Sequence, residues 1–286
     1  MSTLAPLVDS HNHLQEEVLQ PYLPEVLQRA REAGVAVQVV NGTAPGDWAH
    51  VLALAQNHPD LIPCFGLHPW FVGQAGVPAP PGWVDMLRHH LSAIPSALGE
   101  IGLDRWVKER DEAAQEEAFV LQLRLARELG LPVMIHCLKA WGWLLEVLGR
   151  EGAPPAGMLI HAFGGAAEMI PPLQQMGAYF SFGGSVLDEQ RLRARQSLQA
   201  VPLERLLIET DAPALLPSER VVRASRPQYH VIVGDGGEEY NEPANLPLIL
   251  HGIAQLRGVP EEELREIVWE NAQRLLGPLM PSVNVT

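Results

Sequence analysis

Residues 7–15 read LVDSHNHLQ, a short apolar run that closes on Asp9, His11 and His13. Metal-competent side chains at the carboxyl end of a β-type run carry information, because in a parallel barrel all strands end on one face. Seven more runs of this kind follow: Ala36 to Val40, Ile62 to Gly66, Ala97 to Ile101, Pro132 to His136, Met158 to His161, Ala178 to Phe182 and Leu206 to Thr210. Together with Leu7 to Ser10 they make eight, the number a small closed barrel requires.

Segments of helical periodicity separate the runs. PEVLQRAREAG stops at Gly34, and EEAFVLQLRLARELG carries Phe119, Leu123, Ala126 and Leu129 at helical spacing before Gly130. PGWVDMLRHHLSAIP reads as a helix after the third strand, and PANLPLILHGIAQLRG and PEEELREIVWENAQRLLG finish the chain. Strand and helix alternate throughout, and no Ser- or Pro-rich linker intervenes. The expected architecture is α/β: a single (β/α)₈ TIM-type barrel domain over residues 1–286, with any metal site at the C-terminal face of its strands. Residues 213–240 are too many for a routine connection and are expected to form an extended flap.

Composition narrows the function. Of 286 residues, 47% are hydrophobic and 19% charged, which suits a soluble globular fold rather than a disordered chain. A net charge of -14 argues against extensive non-specific wrapping of nucleic acid, which needs a basic surface. It leaves room for an enzyme that takes one strand end into a pocket where divalent cations reverse the local potential. Cys64 and Cys137 both lie in apolar runs and read as buried reduced thiols. With neither a signal-like amino terminus nor a bilayer-length apolar stretch, the reading is cytoplasmic, with no membrane partner, as a monomer or weak oligomer.

The polar exceptions gather at strand ends. His11 and His13 follow the first run, Glu100 lies in the fourth, His136 ends the fifth, His161 ends the sixth and Asp211 follows the eighth. Alternation groups Asp9 with His11 and His13, Glu100 with Asp104, and Glu209 with Asp211. Asp9 and Glu209 then lie one layer deeper, where a carboxylate can accept the second N–H of an imidazole, and Asp104 is a further supporting acceptor. Four imidazoles and two carboxylates in one cluster call for cations, since otherwise the carboxylates repel and the imidazoles compete for donors. Six ligands exceed the usual protein donors of one catalytic ion, so two divalent ions sharing a carboxylate are expected, about 3.5–4 Å apart. Glu100 is assigned as the bridge, with His11, His13 and Asp211 on one ion and His136 and His161 on the other.

The ordered blocks DSHNH, GEIGLD, VMIHC, LIHAFGG, ETDAP and NEPANL…IAQLRG…NAQRLLG resemble the TatD family of metal-dependent hydrolases, within the wider amidohydrolase-like barrels. The likeness runs from about Leu7 to Leu276. It implies a barrel with a binuclear metal centre and phosphodiester hydrolysis, as a DNase or 3′ to 5′ exonuclease. The family's ligands carry over onto His11, His13, Glu100, His136, His161 and Asp211. The implied substrate is a DNA end or nucleotide phosphodiester, and the cofactors are two divalent ions drawn from Zn²⁺, Mn²⁺ and Mg²⁺. Catalysis is assigned to Asp211 and Glu100, with Asp211 taking or relaying the proton of an activated water.

Substrate contacts are sought at His68 in GLHPW, which resembles a family position near the substrate, and at Arg105 and Lys139. The chain departs from many relatives here: Cys137, Leu138, Lys139 and Ala140 replace an SRDA segment, and an acidic insertion stands where an arginine-containing stretch is common. Arg105, Lys139, Arg223 and Arg226 are the substitutes available to meet phosphate. Trp141, Trp143 and Phe163 could stack a nucleobase, but rings beside a helix start more often pack it in place. Two rival functions stay open: hydrolysis of a small amide, lactone or cyclic C–N substrate, and a non-catalytic barrel that only binds.

Overall fold

Eight parallel strands, each hydrogen-bonded to the next in chain order, make up the central sheet. The computed structural model describes residues 4–72, 79–217 and 229–281. Its strands are β1 (Leu7–Asn12), β2 (Val35–Asn41), β3 (Leu61–Phe65), β4 (Ala97–Asp104), β5 (Val133–Leu138), β6 (Met158–Ile160), β7 (Ala178–Phe182) and β8 (Leu206–Ile208). The helices between them are α1 (Leu23–Glu32), α2 (Pro45–Asn57), α3 (Trp83–Ala93), α4 (Glu112–Leu129), α5 (Trp141–Glu151), α6 (Ile170–Gln175) and α7 (Leu192–Ala200). After β8 come α8 (Leu246–Arg257) and α9 (Glu261–Leu276).

Side chains bring β8 back to β1. Ser10 Oγ donates to the Ile208 carbonyl at 2.8 Å, and Asp9 accepts from the Thr210 N–H at 2.9 Å and the Thr210 hydroxyl at 2.5 Å. Two backbone bonds complete the seam: Asp211 N–H to His11 O at 3.0 Å and His13 N–H to Ala212 O at 2.7 Å. The opening residues of the chain therefore also set where Asp211 begins its turn.

Alternation divides the apolar residues into two layers. Leu61, Phe65, Val133, Ile135, Leu206 and Ile208 pack with the helices. Val8, Val37, Ile62, Ala97, Met134, Leu159, Tyr179 and Leu207, one from each strand, form a separate inner cluster with Leu275 and Leu276 of α9. Both faces of a strand are thus buried, which explains why the runs are continuously apolar and β-branched. Two residues beyond Met134, Leu159 and Leu207 come His136, His161 and Glu209, on the inner side by the same alternation.

The strand pattern differs from the sequence reading at the ends. β1, β4 and β5 extend to Asn12, Asp104 and Leu138, past the ends read from the sequence, and β4 and β5 stay paired as far as Asp104 and Leu138. β6 and β8 end sooner, at Ile160 and Ile208. Part of the expected flap is a hairpin, Ile232–Val233 pairing antiparallel with Glu239–Tyr240. Residues 218–228, with Arg223 and Arg226, lie outside the described residues. Asn241, just after the hairpin, donates through Nδ2 to the Thr210 carbonyl at 2.8 Å and through its N–H to the Pro213 carbonyl at 2.9 Å, which pins the segment carrying Asp211. No described helix is long and apolar enough to cross a membrane.

Candidate metal centre

Glu100 stands between two groups of imidazoles. Its Oε1 lies 2.8 Å from His161 Nε2, 3.0 Å from His136 Nδ1 and 3.2 Å from His68 Nε2. Its Oε2 lies 3.5 Å from Nε2 of both His11 and His13. Asp211 Oδ1 completes the second group, 3.7 Å from His11 Nε2 and 3.5 Å from His13 Nε2. The His11 and His161 rings stack across the divide with centroids 3.8 Å apart.

A break in strand regularity points Glu100 inward. Ala97 belongs to the inner cluster, while Leu98 and Ile101 both pack outward, so two residues, Gly99 and Glu100, occupy what strict alternation would give to one. The pairing of β4 with β5 shifts register between Leu98 and Ile101, an irregularity of the kind that re-aims a side chain. Glycine is required on either side of Glu100. A Cβ on Gly99 would sit 2.6 Å from Met134 Cβ, and one on Gly102 would sit 1.8 Å from the His136 carbonyl oxygen. Asp211 and Ala162 adopt left-handed backbone, with φ of 53° and 43°, at a cost of about 1 kcal/mol or more each for a residue with a side chain. At Ala162 this conformation accompanies an N–H bond to Glu209 Oε1 at 2.6 Å.

The outer hydrogen bonds decide which imidazole nitrogen faces the centre. His13 Nδ1 donates to the Asn41 carbonyl at 2.8 Å, leaving Nε2 as the inward atom. His136 is reversed: Nε2 donates to Asp104 Oδ2 at 2.9 Å and Nδ1 faces Glu100. His68 Nδ1 accepts the Trp70 N–H at 3.1 Å, so its Nε2 carries the proton directed at Glu100. The outer nitrogens of His11 and His161 have no hydrogen-bond partner among the described residues, although Glu209 Oε1 is 3.8 Å from His161 Nδ1.

This donor set fits divalent cations. His11 Nε2 faces His13 Nε2 at 3.2 Å, and His136 Nδ1 faces His161 Nε2 at 3.2 Å, with carboxylate oxygens beside each pair. Lone pairs converging on lone pairs in a buried site need protons or cations between them. Three groups of side chains have ligand atoms close enough to share an ion: His11, His13 and Asp211; His11, His161 and Glu209; and His68, Glu100 and His136.

The profile of the family described as TatD related DNase matches residues 8–277. The chain belongs to this family. The protein of Bacillus subtilis (strain 168) named "Uncharacterized metal-dependent hydrolase YabD" is 31% identical over 270 residues, 94% of this chain and 98% of that protein. The "3'-5' ssDNA/RNA exonuclease TatD" of Citrobacter rodentium (strain ICC168) is 35% identical over 262 residues, covering 90% and 93% of the two chains. The crystal structure of YjjV, a TatD homolog from Escherichia coli K12, matches with a TM-score of 0.82 at 27% identity, covering 94% of this chain and 97% of that one.

Burial and the carboxylates act on these imidazoles in opposite directions. Burial works to deprotonate His13, but the Asp211 and Glu100 carboxylates overcome it and raise its pKa to about 10. Burial likewise opposes protonation of His136, which Asp104 and Glu100 raise to about 9, and of His161, which Glu100 raises. Burial and the neighbouring His161 push His11 down to about 3, and burial pushes His68 down to about 4. Burial disfavours the Glu100 carboxylate, yet the surrounding imidazoles hold its pKa well below the usual carboxylate range. Burial raises Glu209.

The remaining sequence candidates fall in different places. Asp104 meets His136, as an acceptor should. Asp9 does not meet an imidazole: its carboxylate is taken by Thr210 and by Asn12 Nδ2 at 3.0 Å, because β1 shifts register against β2 between Asp9 and Asn12. Glu209 is bonded to the Ala162 N–H and, at 2.5 Å, to the Ser181 hydroxyl. Arg105 is bidentate to Glu112, at 2.9 and 3.1 Å, and lies over the Trp143 ring, so its guanidinium is already paired. Lys139 is exposed, with its ammonium 4.2 Å over the Trp106 ring. Trp143 and Phe163 are buried packing residues.

Sequence reasoning missed Gln115 and Gln122. Both lie on the buried face of α4, where Gln115 Oε1 accepts the Asp104 N–H at 2.9 Å and Gln122 holds both backbone groups of Leu67 beside His68. A glutamine on an otherwise apolar helical face was the available signal. Trp70 Nε1, which donates to Asp104 Oδ2 at 2.6 Å, and the Asn41 carbonyl behind His13 had none.

Proposed function

We propose that the chain is a divalent-metal-dependent phosphodiesterase that hydrolyses nucleic-acid ends, with single-stranded DNA or RNA as the substrate class. The observation that carries this reading is the position of Glu100, one oxygen toward His136 and His161 and the other toward His11, His13 and Asp211. Relatives named as metal-dependent hydrolase and as 3'-5' ssDNA/RNA exonuclease support it.

His11, His13 and Asp211 would hold one ion, His136 and His161 the other, and Glu100 both. The mixed nitrogen and oxygen donors suit Zn²⁺ or Mn²⁺, and the carboxylates together with a phosphate substrate suit Mg²⁺. Bound there, such ions supply an activated water and neutralise charge developing on the phosphoryl oxygens.

The protein's own groups do the rest. Asp211, held ionised against burial by His13, His11 and His161, takes the proton of the attacking water on its carboxylate. His68 Nε2–H donates to Glu100 and holds that carboxylate in place. Asp104 keeps His136 in the tautomer that turns Nδ1 inward.

The test is incubation of purified protein with end-labelled single strands and Mg²⁺, Mn²⁺ or Zn²⁺. Cleavage should require metal and vanish in Glu100→Gln. Absence of cleavage that depends on both contradicts the proposal.

A further inference from the structure

Every exposed aromatic side chain among the described residues sits on one arc of the barrel mouth. Trp70 and Phe71, just after β3, are 45% and 49% exposed, and Trp106, just after β4, is 59% exposed. The other described aromatic residues are buried or partly buried. Large rings are costly to leave in water, and three together mark a surface that something covers.

These rings are fastened to the candidate centre. Trp70 Nε1 donates to Asp104 Oδ2, the oxygen that also meets His136 Nε2. The Trp106 N–H donates to the other Asp104 oxygen at 2.5 Å. The Phe71 ring lies edge-on to His68, centroids 6.4 Å apart. Lys139, at the end of β5, places its ammonium 4.2 Å over the Trp106 ring and has no carboxylate partner among the described residues. In a chain of net charge -14, a lysine with no carboxylate partner among the described residues, on an aromatic face beside the metal-competent cluster, matches a ligand that is both aromatic and anionic.

We propose that Trp70, Phe71 and Trp106 form a stacking rim for the unpaired bases next to the scissile bond, with Lys139 on a backbone phosphate. Stacking on rings tolerates any base but needs bases free of a partner strand, so the rim makes the enzyme select single strands over paired ends. The inference rests on the proposed phosphodiesterase function and deepens it.

The experiment compares the wild-type chain with Phe71→Leu/Trp106→Leu and with Trp106→Phe. Neither ring that is removed gives Asp104 a side-chain hydrogen bond, and leucine keeps apolar volume. The substrates are a labelled single strand of thymidines and the same strand with abasic terminal nucleotides. The double variant should raise KM for the thymidine strand about 10-fold, the range that loss of base–aromatic stacking produces, with kcat within about twofold. The abasic strand, which has nothing to stack, should shift less than about twofold, and Trp106→Phe should retain most of the affinity.

An unchanged KM, or an equal loss on both strands, overturns the rim while leaving the nuclease reading intact. If wild-type protein cuts neither strand, the nuclease reading fails. The rim is then judged by fluorescence anisotropy of the labelled thymidine strand with Mg²⁺, where equal affinity of wild type and double variant overturns it. Sedimentation that shows the rings instead holding two copies of the chain together, with the dimer lost in the double variant, overturns it as well.

Discussion

Glu100 Oε1 lies 2.8 Å from Nε2 of His161, although 61 positions of chain and two helices separate them. The contact exists because β4 and β6 flank β5 and because the irregular turn of strand at Gly99 and Glu100 aims the carboxylate inward. Each end of that carboxylate then serves a different set of histidines.

Asp104→Asn should weaken metal binding without removing a direct ligand. Asp104 accepts from His136 Nε2 at 2.9 Å and from the Trp70 indole at 2.6 Å, and neutralising it leaves His136 less basic and less firmly oriented. Loss of such an outer partner typically costs about 10–100-fold in affinity. Chelator competition monitored at equilibrium measures it, and an unchanged affinity would remove Asp104 from this role.

Asp211→Asn should lower kcat by about 10²–10⁴-fold, the usual contribution of a positioned acid–base group, while circular dichroism stays that of the wild type. Single-turnover rates on a saturating single strand give the number. Retention of most activity would reassign the proton acceptor.

Asp9→Ala should damage stability more than metal binding. Its carboxylate satisfies the Thr210 N–H, the Thr210 hydroxyl and Asn12 Nδ2 inside the seam between β1 and β8. Leaving such buried donors unpaired costs about 1–3 kcal/mol. Urea unfolding should register that loss while metal stoichiometry persists, whereas lost stoichiometry at unchanged stability would place Asp9 behind a ligand after all.

Metal-free protein should lose stability as pH rises from 6.5 toward 9. His13 and His136 hold their protons to about 10 and about 9 when folded but release them near 6.5 when unfolded, so the folded chain binds more protons throughout that window. Their stabilisation is complete below pH 6.5 and disappears as pH passes the folded values. His161 and Glu209, also raised, act with the same sign, while His11 and His68, lowered when folded, oppose the trend only at the start of the window, until the unfolded imidazoles have lost their protons. Melting temperature in EDTA should therefore fall over this range and fall less with Mn²⁺ present. A flat profile in EDTA would contradict the protonated cluster.

The barrel was legible because its strands are buried on both faces and so read as continuous apolar runs, and because strand ends such as Val133 to His136 place a polar residue where the mouth must be. Convergence of His11, His13, Glu100, His136, His161 and Asp211 follows from that geometry. Strict alternation was a poorer guide. Counting in twos from Ala97 sends Glu100 outward, and only the register shift beyond Leu98 reverses it. For the same reason Asp9 ends on Thr210 rather than on an imidazole. Backbone acceptors such as the Asn41 carbonyl leave no trace in residue type, and the pairing of Arg105 with Glu112 depends on how a loop folds back onto α4.

Anomalous diffraction from crystals soaked in Mn²⁺ tests the division at Glu100 most directly. Two peaks about 3.5–4 Å apart are predicted, both within ligand distance of the Glu100 carboxylate, one beside His11, His13 and Asp211 and the other beside His136 and His161. One peak alone, or a pair that Glu100 does not join, would contradict it.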